Sequence, residues 1–321
     1  MPFVPEKQMN NSLKIASAIA TGRLSRLMFG VIIGLALASD GFGQAKVAAG
    51  DVKDIRRSDG FFNNLDVQLK INGEALVGAK GIRVSVSKAL DDTGKNLIKE
   101  EKQVKRFEEL DSGNQGEAKI EIELKSPERR AMVVQEVSGS IDVFAPQKDP
   151  KSIIAVPAFL KIIGKPISSP ALKSAGVEVV VWTKEIFEAR KKAEEARLKK
   201  EMDEKTKKAE QSGKLEDALE LLGEGLAKAF GSMFSSFAEM EENDIAFNVT
   251  DPGSKFINID IEDETGKPIE RNGRMTIGGD PRTMIYNFKQ KLPATARIRL
   301  YVLTPRSVIT IPFKLTGIRL P

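Results

Sequence analysis

Two short acidic segments are the first candidates for chemistry. Asp91-Asp92-Thr93-Gly94-Lys95 and Glu262-Asp263-Glu264-Thr265-Gly266-Lys267 each gather carboxylates beside a threonine and a glycine. Carboxylate oxygens are the ligands of hard cations such as calcium, but a calcium loop needs about six to eight oxygens at set intervals. Neither segment has the spaced acids of an EF-hand. The spacing predicts two hairpin turns instead, with Gly94 and Gly266 at the positions that need positive φ.

Other chemistries are excluded by composition. The chain has no histidine and no cysteine. That removes the imidazole general base, the Ser-His-Asp relay, thiolate sites and the usual ligands of zinc. What survives is carboxylate, Lys, Ser/Thr or Tyr chemistry, or an oxygen-bound cation. No Gly-x-x-x-x-Gly-Lys-Ser/Thr loop is present, and Gly223-Glu-Gly225 lies in a helical pattern with no strand before it. The expectation is a non-catalytic protein with no cofactor and no metal.

The charge is mixed rather than clustered. Fifty basic and 45 acidic side chains leave +5. Loss of residues 1–45 would leave about +3. One Trp and two Tyr supply few stacking rings, so nucleic acid is not an expected partner.

Residues 1–45 read as a secretory signal peptide. Lys7, Lys14, Arg23 and Arg26 precede the apolar run Leu27–Ala38, and Gly41-Phe42-Gly43-Gln44-Ala45 follows. A basic flank, a short apolar run and a small-x-small exit are its three parts. Twelve apolar residues fall short of the roughly 20 that a bilayer span needs. The expected location is therefore exported: periplasm, cell envelope or medium, with no transmembrane span after cleavage. An exported chain without cysteine must be held together by packing alone.

Two regions alternate with the period of a strand. In the first, Leu65, Val67, Leu69 and Ile71 point one way, followed by Ile82, Val84 and Val86, then Ala118, Ile120, Ile122 and Leu124. Ser126-Pro127-Glu128 reads as a short helical turn. Strands are expected again at Ser140–Phe144, Ser152–Phe159 and Gly176–Trp182. In the second, Ala246–Val249, Phe256–Ile261, Met284–Phe288, Ile298–Leu303 and Ser307–Leu315 are strand candidates, with Ile298, Leu300 and Val302 inward and Arg297, Arg299 and Tyr301 outward. An internal echo links the regions. Pro150-Lys-Ser-Ile-Ile-Ala-Val-Pro-Ala-Phe-Leu160 matches Pro305-Arg-Ser-Val-Ile-Thr-Ile-Pro-Phe-Lys-Leu315 at five of eleven positions. The Thr-Gly-Lys turns echo in the same order.

Between them lies a charged helical stretch. Thr183 can cap a helix carrying Glu185 in its first turn. Glu188/Lys192, Glu195/Lys199, Glu201/Lys205 and Glu204/Lys208 are pairs four apart, each contributing about 0.2–0.5 kcal/mol. Its apolar seam is thin: Ile186, Ala189, Ala193 and Ala196. Ser212-Gly213 ends it. A second helix is expected with a strong apolar stripe: Leu215, Leu219, Leu222, Leu226, Phe230, Met233, Phe237 and Met240 fall within about 80° of one another at helical spacing. Gly223, Gly225 and Gly231 lie inside it, each costing about 0.8–1.0 kcal/mol relative to Ala. That helix forms only with its stripe covered, by this chain's own core or by a partner. Leu219, Leu222, Leu226, Phe230, Met233 and Phe237 are therefore the candidate packing or protein-interaction face. Nearby acids, Glu216, Asp217, Glu220 and Glu224 among them, make another protein or a second copy a better partner than anionic lipid.

The fold expected is mainly β with a helical insert: two immunoglobulin-like antiparallel β-sandwich modules separated by a charged two-helix segment. The divisions are a signal peptide (1–45), β-sandwich module 1 (46–182), a helical hairpin (183–242) and β-sandwich module 2 (243–321). The function expected is that of an exported, non-catalytic cell-envelope protein acting as an interaction or structural module. The alternatives are an extracellular carbohydrate-binding protein, for which 6% aromatic residues are few, and a carboxylate-dependent hydrolase. Export with processing predicts that N-terminal sequencing of the native protein begins at Gln44 or Lys46. Met1 intact on a membrane-embedded product is the contrary result.

Overall fold

A computed structural model of the chain describes residues 45–56, 63–100, 105–110, 116–212 and 239–321. The expected signal peptide, apart from Ala45, and residues 213–238 lie outside the described residues. The described chain is mainly β, in antiparallel sheets. In chain order the strands are β1 (Lys46–Ile55), β2 (Asn64–Asn72), β3 (Gly81–Asp91), β4 (Glu108–Glu109), β5 (Glu117–Leu124), β6 (Val133–Phe144) and β7 (Ile153–Val156). A short helix α1 (Pro170–Ala175), β8 (Glu178–Trp182) and a long helix α2 (Lys184–Ser212) follow. Then come β9 (Ile245–Thr250), β10 (Phe256–Glu262), β11 (Gly273–Gly278), β12 (Arg282–Asn287), β13 (Arg297–Val302) and β14 (Val308–Arg319).

Two hydrophobic cores form where the alternation demands burial. The sheet β1-β2-β5 and the sheet β14-β6-β3-β4 share the first. Leu65, Val67, Leu69 and Ile71 on β2 are fully buried there, opposite Ile82 and Val84 of β3 and Val137, Ile141 and Val143 of β6. Burying each such side chain stabilises the fold by about 1.5–3 kcal/mol. The sheet β10-β13-β7 and the sheet β11-β12-β9-β8 share the second core, around Phe247, Ile259, Met284, Tyr286, Ile298 and Leu300.

The pairing crosses the division expected from the sequence. Ser152–Phe159 and Gly176–Trp182, read with 46–182, supply β7 beside β13 and β8 beside β9. Ser307–Leu315, read with 243–321, supplies β14, which lies along β6 from Val308↔Phe144 to Arg319↔Val133. An alternating strand specifies which of its faces is buried but not which sheet receives it. Finer expectations change as well. Ser126-Pro127-Glu128 forms no helical turn; a turn at Arg129-Arg130 follows, closed by Ala131 N donating to the Glu128 carbonyl at 3.0 Å. Phe159 lies in a 3-10 turn rather than a strand and is fully buried. Tyr301 faces out of the second core as expected, yet is 3% exposed because the first core's strands cover it. Pro312 lies on an edge strand, where its missing N–H costs no ladder bond.

The two crossings between cores, from β6 to β7 and from β13 to β14, are built alike. Asp149-Pro150-Lys151-Ser152 and Thr304-Pro305-Arg306-Ser307 each close a turn from the serine N–H to the first residue's carbonyl, at 2.9 and 3.2 Å. Ser152 and Ser307 are fully buried. Each hydroxyl donates back to the same carbonyl, at 2.7 and 2.9 Å. The crossings also bond to each other: Ala145 N donates to the Ser307 carbonyl at 2.8 Å, and Thr304 Oγ1 to Asp149 Oδ2 at 2.7 Å.

The acidic Thr-Gly-Lys segments are turns with one hydrogen-bond scheme. Asp91 Oδ1 accepts from Thr93 N (3.0 Å), Thr93 Oγ1 (2.7 Å) and Lys95 N (2.9 Å). Asp263 Oδ1 accepts from Thr265 N (2.9 Å), Thr265 Oγ1 (2.7 Å) and Lys267 N (3.0 Å). Gly94 and Gly266 take φ of 86° and 89°, a region costly for a residue with a Cβ. Asp91 is fully buried, and its second oxygen accepts from Glu128 N. Burial pushes its carboxyl up, but the bonds from Glu128 N, Thr93 and Lys95 N outweigh this and hold it below the usual carboxylate range. A depressed folded value contributes stability that is present above the unfolded pKa of about 3.9 and is lost as pH falls through the folded value. Asp91→Asn is therefore expected to cost about 1–3 kcal/mol at pH 7. Thermal melts from pH 7 down to pH 2 should show the gap between variant and wild type narrowing at the acid end.

Candidate functional site

The apolar face expected to carry function, Leu219, Leu222, Leu226, Phe230, Met233 and Phe237, lies outside the described residues. The structure does show how the chain leaves for it and returns. Thr183 caps α2 through its carbonyl, which accepts from Phe187 N, while its hydroxyl donates to Glu185. That bond holds the Glu185 carboxyl below its ordinary value. Phe187, in the first turn, is buried against Met240, Ala246 and Ile285 on the outer face of β9 and β12. Met240, the last residue of the stripe, is 3% exposed. The excursion thus starts and ends on one apolar patch. Beyond that patch most of the described side chains of the helix are exposed. Ala189, Ala193 and Ala196 of the expected seam are exposed, and Ile186 alone is half-buried.

Where the two cores meet, a second set of side chains converges that alternation did not point to. Phe144 and Tyr301 pack edge to face, 6.4 Å between centroids, and Phe107 packs on Phe144 at 6.3 Å. Tyr301 donates to Asp260 Oδ2 at 2.7 Å, and Lys80 pairs with the same oxygen at 2.5 Å. Burial and the Asp260 charge raise the Tyr301 phenol well above its ordinary value, so it stays protonated as a donor. Nearby, Arg274 of β11 grips Glu109 of β4 with both terminal nitrogens. Burial pushes the Glu109 carboxyl up, opposed by the Arg274 charge.

Behind this pair lies Tyr286, fully buried, with the Arg271 and Arg274 guanidinium groups 5.3 and 5.7 Å from its ring centre. Its hydroxyl has no hydrogen-bond partner. Burial and the Glu109 charge raise this phenol too. Arg282, 7% exposed, donates to the Phe256 carbonyl at 3.3 Å and lies 3.9 Å from Asp251. Burial, then repulsion from Arg106, lowers its pKa. One signal for this cluster was present in the sequence: Arg282, Met284 and Tyr286 alternate, so a buried Met284 places an arginine and a tyrosine inward as well.

These groups are poorly arranged for catalysis by a pair of acids. Glu109 is clamped by an arginine and Asp260 by a lysine and a tyrosine, so both serve as acceptors in ion pairs. A groove of about 620 Å³ opens elsewhere, between β7, α1 and the β13–β14 crossing. Lys151, Lys255, Ser169, Ser174 and Thr304 supply its polar lining, the rest is aliphatic, and the lining has neither a carboxylate nor an aromatic ring. Among the described residues no group of three or more acids is placed to hold a metal ion, and no helix is long and apolar enough to cross a membrane.

No protein-family model matches this chain, and neither a curated protein nor a solved structure matches it.

The unpartnered Tyr286 hydroxyl yields a direct expectation. A buried polar group without a hydrogen bond costs about 1–3 kcal/mol, so removing it while keeping the ring relieves that cost. Tyr286→Phe should raise the thermal midpoint, with a gain on the order of 1 kcal/mol. A clear fall in the midpoint would mean that the hydroxyl is satisfied in solution.

Proposed function

We propose that this protein is exported and works without chemistry of its own, as an interaction or structural module of the cell envelope. In this reading the β cores are a pair of immunoglobulin-like sandwiches that form a rigid base. Each core lies between a three-stranded and a four-stranded antiparallel sheet, the strand count of a constant-type immunoglobulin domain. The base carries α2 and the apolar stripe that follows it in sequence, which meets another envelope protein or a second copy.

The observation that carries this reading is the way α2 is held. It packs at Phe187, the chain comes back beside it at Met240, and the described helix between is solvent-exposed and dense in Glu, Lys and Arg. At about 1.5 Å per residue, 29 residues reach roughly 43 Å. A helix of that length whose described side chains bury only Phe187 suits an arm that presents something. The carbohydrate and hydrolase alternatives gain no support from the groove, whose lining lacks the stacking ring of the one and the carboxylates of the other.

Phe230→Asp separates a partner-covered stripe from an internally covered one. If a partner covers the stripe, the variant should melt with the wild type while association, read by sedimentation and by crosslinking in the native envelope fraction, is lost. If this chain's own core covers it, the variant should lose about 3–5 kcal/mol of stability, the cost of emptying a buried Phe site.

A further inference from the structure

The two cores are related strand by strand, and within their turns and crossings residue by residue. The turn after β3 and the turn after β10 share the three hydrogen bonds to the aspartate Oδ1. Both are followed by the same return contact, Leu97 N to the Ala89 carbonyl in one and Ile269 N to the Ile261 carbonyl in the other, each 2.9 Å. β3 therefore corresponds to β10, and their shared neighbours β6 and β13 correspond in turn. The echo extends the match to β7 and β14. Ile153 and Ile154 lie opposite Tyr301 and Leu300, and their counterparts Val308 and Ile309 lie opposite Phe144 and Val143. Counted from the crossings, Phe144 and Tyr301 hold matching places opposite the start of the exchanged strand, and they pack on each other where the cores meet; counted from the turns, β6 is four residues longer than β13 over the same span.

This correspondence has one anomaly. The strand that follows β6 in the chain completes the core of β13, and the strand that follows β13 completes the core of β6. The two units have exchanged their last strands. A lone unit of this design could complete itself this way only with the last strand of a second molecule. Of the two exchanged strands, β7 makes four residue pairs with β13, whereas β14 pairs along β6 from Phe144 to Val133. The position it fills is built wholly from residues before Ala145, reached through the short crossing Leu303–Ser307.

We propose that this protein associates with itself by β14 exchange, β14 of one chain completing the first core of a second copy. The acceptor strand makes the same ladder with either β14, so the choice between closure within a chain and exchange between chains follows effective concentration. The partner is a second copy and the surface is the β6 edge. This does not require export or the helical arm, so it stands or falls apart from the proposed function.

The absence of cysteine makes the test clean. Ser138 on β6 and Lys314 on β14 lie directly opposite each other, Lys314 exposed and Ser138 half-buried. Facing pairs on antiparallel strands bring Cβ atoms to about 4.5–5.5 Å, close to disulfide range. Full-length mature Ser138→Cys and Lys314→Cys chains, carrying different mass tags, are refolded together over a range of concentrations, oxidised and run without reductant. The expected result is a mixed-tag dimer joined through positions 138 and 314, increasing with concentration. Dimers joined only 138 to 138 or 314 to 314 would mean contact without exchange and would overturn the proposal, as would no dimer at all. The double variant in one chain, refolded dilute, should close internally and shows that the pair can bond. If it does not close, sedimentation of wild type refolded at high concentration decides: a dimer that persists on dilution supports exchange, and monomer throughout overturns it.

Discussion

The two crossing segments constrain the rest of the structure. Ala145 N bonded to the Ser307 carbonyl and Thr304 Oγ1 bonded to Asp149 tie the route out of the first core to the route back into it. Both routes are tight turns closed by a buried serine hydroxyl, and both feed an edge strand directly into a sheet. Because β7 and β14 cross in opposite directions, neither core is complete from contiguous sequence. Its last strand arrives from the far side of the junction, and the covalent chain enforces what packing alone would have to achieve between separate domains.

The junction illustrates how polar groups are managed when two cores meet. Phe144, Tyr301 and Phe107 supply apolar contact, and Lys80, Asp260 and the Tyr301 hydroxyl satisfy one another around them. Buried ion pairs contribute less to net stability than they cost when broken, because each charge was taken out of water to form them. Their value lies in register: Lys80 reaches Asp260 and Arg274 reaches Glu109 only in one relative placement of β3–β4 on β10–β11. Tyr286 departs from this, a hydroxyl given up to place a large ring between Phe247 and two arginines, and Arg282 Nη1 likewise has no hydrogen bond.

The helical excursion obeys different physics. Where the cores depend on buried apolar area, α2 among its described side chains buries only Phe187, in its first turn. The contrast fits a division of labour in the proposed function, with a rigid base built by the strands and a solvated arm built by the helix.

Local pattern determined a good deal. Period-two alternation in Leu65–Ile71, Ala118–Leu124 and Ile298–Val302 identified strands and their buried faces, because that information lies in the side chains themselves. The Thr-Gly-Lys turns were legible for the same reason: the acceptor, donors and glycine lie within five residues of one another. Tertiary structure alone decided which sheet each strand joined, since the apolar residues of β7 and β14 mark a buried face without specifying the core that receives it. It also decided that Tyr301, on the outward face of its strand, would be buried, because the covering surface comes from residues more than 150 positions away. The short β4 carries no periodic signal, and its Glu109 finds Arg274 only when the cores meet. A sequence states what each face prefers; the choice among equally acceptable partners rests on long-range packing, which no local window contains.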